Sequence, residues 1–122
     1  MPIVTDPPVF TNPHGTVLGL AAPSRGSSEN SVFRITMPPG VPAFEHSVSR
    51  EEIFVALSGR AVATVAGTAA DFGTGDTLIV PADTLFSITT SGDEPLEMIA
   101  ILPVGGQAAA PGAEPITPPW AQ

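Results

Sequence analysis

The chain of 122 residues has no cysteine, no lysine and no tyrosine, and only two histidines and one tryptophan. Without cysteine there is no disulfide frame, no thiolate nucleophile, no zinc finger and no iron–sulfur cluster. Four arginines stand against twelve Asp and Glu, for a formal net charge of −8. A polyanion finds no basic cluster here to replace its counterions, which excludes nucleic acid and anionic membrane surfaces as partners. Long apolar runs are missing as well: the strongest extend about five residues, against the ~20 of a membrane helix. The opening Met1-Pro2-Ile3-Val4-Thr5-Asp6-Pro7-Pro8 lacks the basic start and apolar stretch of a secretory signal. A cytoplasmic protein is the expectation.

What the chain does have is 15 Pro and 12 Gly in a sequence that is 43% hydrophobic. The length fits one domain of the usual ~150 residues. Proline in a helix interior costs ~3 kcal/mol, so a long helix fits only between Pro42 and Pro81. That window reads as strand instead. Ile53-Phe54-Val55-Ala56-Leu57 is a short apolar run stopped by Ser58-Gly59, as in a buried strand, and Arg60 to Val65 follows as the second arm of a hairpin. The same pattern predicts strands at Thr16–Ala21, Ser31–Met37, Thr68–Phe72, Asp76–Val80, Leu85–Thr90 and Leu96–Leu102. Turn signals such as Asn12-Pro13-His14-Gly15 and Pro38-Pro39-Gly40 separate them. Eight short strands without an intervening helix predict an all-β sandwich or barrel. The expected boundaries are an N-terminal arm over 1–15, a barrel over 16–103 and a Pro-rich tail over 104–122, packed on the barrel or partly disordered.

From Gly40 the chain reads Gly-Val-Pro-Ala-Phe-Glu45-His46-Ser-Val48-Ser-Arg50-Glu51-Glu52, with Gly59 seven residues on. Downstream stands Gly75-Asp-Thr-Leu-Ile-Val-Pro81. In these two motifs and the spacing within them the chain resembles the cupin superfamily, in the manner of small single-domain type-2 cupins. The resemblance implies a double-stranded β-helix, or jelly roll. It also implies a metal held by two His and the Glu of the first motif and the His of the second. Here His46 and Glu52 align with two of those ligands, whereas Val48 and Phe86 replace the other two. Asp83 stands where the second motif has Gly, and Thr90 where it has Asn.

Valine and phenylalanine offer a metal no donor, and a divalent transition metal needs three or four. Strand alternation turns Glu45 and Glu51 away from His46 and Glu52, so neither substitutes. No cofactor is therefore expected; if a divalent metal binds, His46 and Glu52 hold it. His14 reads as a solvated turn residue, Arg50 as a surface ion partner, Arg34 as solvent-facing and Trp120 as an anchor for the tail. With Val48, Phe54, Phe86, Ile88 and Thr90 facing the interior, a largely apolar pocket remains, with His46 and Glu52 as its polar groups.

Three functions stay open at this point. One is binding of a small organic molecule without a complete metal site. The second is metal-free acid–base catalysis by His46 and Glu52, of the isomerase, lyase or cyclase type. The third is a metal-dependent oxygenase or isomerase with an atypical ligand set. The size of the barrel and the resemblance also imply a homodimer, with Thr16–Ala21 as the interface or exchanged strand.

Overall fold

The computed structural model describes residues 1–122: eleven strands and two single 3-10 turns, without an α-helix. The strands are β1 (Val9–Asn12), β2 (Gly15–Ala21), β3 (Asn30–Met37), β4 (Ser47–Val48), β5 (Glu52–Ser58), β6 (Arg60–Val65), β7 (Thr68–Gly73), β8 (Thr77–Val80), β9 (Phe86–Ser91), β10 (Leu96–Pro103) and β11 (Ala108–Ala109). Six form one antiparallel sheet in the order β1-β2-β3-β10-β5-β8. A second layer joins β7-β6-β9 to the β11-β4 pair through a backbone bridge between His46 and Phe86. The two layers enclose the core in the jelly-roll manner, and the fold class is all-β.

Alternation along each strand decides what the core receives. On β10, Leu96, Met98, Ala100 and Leu102 are buried while Glu97, Ile99 and Ile101 lie on the outer side. Phe33 and Phe54 join them from the same sheet, and Phe72 and Phe86 come from the opposite layer. Each such large side chain contributes roughly 1.5–3 kcal/mol when fully buried. Gly15, at φ 147°, occupies a place where any side chain would collide with the Thr36 carbonyl, which lets β2 turn tightly off β1 onto β3.

All eight expected strands are present, with ends shifted by at most a residue or two. The region 1–15 carries β1, paired with β2, and the region 104–122 carries β11, paired with β4. Strand β2 lies between β1 and β3 in the six-stranded sheet. Two expectations need correction. The run Ile53–Leu57 is not buried on both faces: Phe54 and Ala56 point inward, whereas Leu57 is 39% exposed on the outer face. Arg50 is exposed without an ion partner, and the one ion pair joins Arg34 to Glu97 at 3.1 Å.

Candidate functional site

Between the layers lies a cavity of about 460 Å³ lined by 26 residues, 17 of them hydrophobic. Inward-facing positions of β3, β5, β9 and β10 form its floor and sides, including Phe33, Phe54, Phe86, Ile88, Met98 and Leu102. Of the residues expected to line a pocket, Val48, Phe54, Phe86 and Ile88 do so together with His46 and Glu52. Thr90 does not. It shares the parity of Phe86 and Ile88 but sits farther along β9, where its hydroxyl donates to the Met37 carbonyl at 3.3 Å.

Glu52 opens β5 opposite Val80, so the alternation that buries Phe54 and Ala56 buries its carboxyl too, leaving 5% exposed. Burial alone pushes that carboxyl up to about 8, with no hydrogen bond or neighbouring charge to offset it. His46 is held at the backbone by Phe86, each N–H donating to the other's carbonyl at 3.0 and 2.9 Å. Its Nδ1 lies 3.3 Å from the Phe44 carbonyl, and the tautomer that donates this hydrogen bond leaves Nε2 as an acceptor. Desolvation lowers its pKa most; the Phe44 hydrogen bond opposes this, and nearby His14 adds to it. At neutral pH the site thus combines a protonated carboxyl with a neutral imidazole, their affinities for the proton displaced in opposite directions.

Several lining residues were not legible from local pattern. His14 lies in the expected turn, where the Asn12 side chain accepts from the His14 and Gly15 N–H groups. That turn overhangs the cavity, and the His14 ring packs 4.7 Å from Phe44. The tail closes another side. Trp120 meets Phe10 at 6.2 Å and Phe33 at 6.0 Å, and its carbonyl accepts from Arg25 at 2.7 Å. Trp120 therefore both pins the tail and forms wall, with Glu114, Ile116 and Pro118 beside it. A Trp after two prolines at the chain end was the one available signal.

The residues present do not fit a resident metal of the kind the resemblance implies. Val48 and Phe86, 4% and 1% exposed, fill the two remaining ligand positions with hydrocarbon. Nowhere in the fold do three ligating side chains converge. At the second motif the backbone nonetheless keeps its shape: Asp83, where the motif has Gly, adopts φ 56°, and its N–H donates to the Val48 carbonyl at 2.7 Å.

Comparison with known proteins agrees with this architecture. No curated protein sequence matches the chain. Among solved structures, a putative sugar phosphate isomerase from Acidithiobacillus ferrooxidans is 21% identical with a TM-score of 0.67, covering 88% of this chain and 74% of its own. An RmlC-like cupin from Shewanella frigidimarina is 13% identical with a TM-score of 0.68, covering 80% of this chain and 83% of its own. A salicylate 1,2-dioxygenase mutant from Pseudoaminobacter salicylatoxidans, in complex with gentisate, is 12% identical with a TM-score of 0.70, covering 86% of this chain and 31% of its own. At these identities the likeness is one of fold. The cupin domain model matches residues 33–102, more than half of the sequence, and the chain belongs to the cupin family.

Proposed function

We propose that the protein binds a small organic molecule in the cavity between its layers, without a complete metal site. The observation that carries this reading is the replacement of two ligand positions by Val48 and Phe86, which turns the centre of the barrel into a mostly apolar chamber. A volume of about 460 Å³ suits a small organic guest, since ligand cavities run about 300–1,000 Å³. Thermal shift tests it: apolar fragments raise the melting temperature by several degrees, as any ligand selective for the folded state does, whereas divalent metals leave it unchanged. A rise with metal alone contradicts the reading.

The opposite displacements of Glu52 and His46 favour a second reading, metal-free acid–base catalysis of the isomerase, lyase or cyclase type. Glu52 supplies a proton or hydrogen bond to a substrate oxygen, and His46 Nε2 takes a proton from an adjacent carbon. That carbon is α to a carbonyl whose oxygen Glu52 holds: the C–H pair becomes the new C=C bond as the C=O π pair moves onto the oxygen, and no oxidant is consumed. Loss of turnover in His46→Ala with the fold intact supports this role, and unaltered turnover sinks it.

A homodimer belongs to the same proposal. On the outer face of the six-stranded sheet the register aligns Ile79, Ile53, Ile101 and Val32 in one row, next to a row of Thr77, Val55, Ile99 and Arg34. Ile79 is 57% exposed. A second copy packed on this face removes that apolar area from water, and β8, the edge strand that carries Ile79, offers a free edge beside it.

A further inference from the structure

The cavity wall contains neither arginine nor lysine. Arg34 is paired with Glu97 on the outer face, Arg25 is tied to the Trp120 carbonyl, and Arg50 and Arg60 are exposed away from the wall. The groups in the wall able to carry charge are Glu52, Glu114, His14 and His46. An anionic guest would meet two carboxyl groups and no arginine or lysine, and an unpaired buried anion costs far more than apolar contact returns. A cationic guest has one deeply buried carboxyl, Glu52, set among Val48, Phe54 and Phe86. Desolvating both ions there exceeds what a single ion pair recovers.

The rings along the wall touch in series. His14 lies 4.7 Å from Phe44, Phe44 stacks on His46 at 5.2 Å with 27° between planes, His46 lies 4.4 Å from Phe86, and Phe86 lies 5.8 Å from Phe54. Such a run of ring faces and edges suits a flat unsaturated guest better than a puckered one. The Glu52 side chain has no partner within the protein, so its hydrogen bond falls to whatever fills the cavity.

We infer that the cavity selects an uncharged, flat, ring-bearing molecule whose oxygen acceptor meets Glu52, and rejects carboxylates, phosphates and ammonium ions. This rests on the reading of the cavity as a ligand site. Titration calorimetry on the full chain at neutral pH with naphthalene, 2-acetylnaphthalene, 2-naphthoate and 2-naphthylmethylammonium separates the two. The ketone binds about tenfold or more tightly than either ion, as one hydrogen bond and one avoided buried charge imply. Glu52→Leu, which exchanges a buried carboxyl for hydrocarbon, lowers ketone affinity about tenfold relative to that for naphthalene, while Glu52→Gln keeps most of the ketone affinity. Naphthoate or the ammonium compound binding as tightly as the ketone overturns the inference and leaves the ligand site standing. Failure of all four to bind overturns both.

Discussion

His46 and Phe86 hold each other twice: their backbones exchange hydrogen bonds at 3.0 and 2.9 Å, and their rings lie 4.4 Å apart. The pair closes the second layer of the barrel, and the aromatic ring stands where the resemblance places a ligand. Restoring the donors is therefore a direct experiment. Val48→His with Phe86→His completes a set of three His and one Glu at the family's positions. Metal analysis after purification without chelator gives well under one transition metal per chain for the native protein and close to one for the double variant. Stoichiometric metal in the native protein contradicts the account of the site.

Glu52 makes stability depend on pH with a definite sign. Its folded pKa of about 8 exceeds the ordinary carboxyl value of 4.5, so the folded state holds a proton that the unfolded state has lost across that interval. Stability consequently falls as pH rises from 4.5 to 8 and levels off above, by an amount on the order of a few kcal/mol. His46, lowered from 6.5, acts the other way, and its contribution is lost as pH falls below 6.5. Denaturation across this range shows the downward slope in the native chain and a flatter profile in Glu52→Gln. An unchanged slope in the variant means that Glu52 does not carry it.

Trp120 is both anchor and wall, so Trp120→Ala has two readouts. Removing a partly buried indole packed on Phe10 and Phe33 costs about 3 kcal/mol, at the low end for large aromatic truncations. It also opens the side of the cavity that the tail covers, and affinity for an apolar guest falls with it. Stability lost without any change in binding assigns Trp120 to the anchor role alone.

The outer apolar face gives the homodimer its test. Ile101→Arg places a charge in the row of Ile79, Ile53 and Val32 without entering the core, because Ile101 faces outward on β10. Sedimentation reads two chains for the native protein and one for the variant. A native mass of one chain removes the dimer.

Catalysis has a substrate-independent readout. A methyl ketone such as 2-acetylnaphthalene exchanges its α-hydrogens for deuterium in heavy water if His46 removes a proton while Glu52 holds the carbonyl oxygen. Exchange catalysed by the native protein and lost in His46→Ala supports acid–base chemistry. Exchange at the background rate leaves a binding protein only.

The strands were legible where alternation and turn residues coincide, and Arg60–Val65 matches to the residue. Strand β1 was hidden between Pro7-Pro8 and Pro13, a setting that an edge strand tolerates. Strands β4 and β11, two residues each, are too short to carry a period. At the site, parity placed Val48, Phe54, Phe86 and Ile88, because one strand repeats a single local rule. Thr90 obeyed that parity yet fell beyond the cavity, since parity fixes a face and not a depth. His14 and Trp120 escaped for another reason: their positions depend on where a turn and a tail dock, which is set by contacts distant in sequence.

The central claim is an organic ligand site that works without metal, and calorimetric binding of 2-acetylnaphthalene in the presence and absence of a strong chelator tests it most directly. One guest per chain with the same affinity in both conditions is the predicted result. Binding abolished by chelator and restored by a divalent transition metal would contradict it.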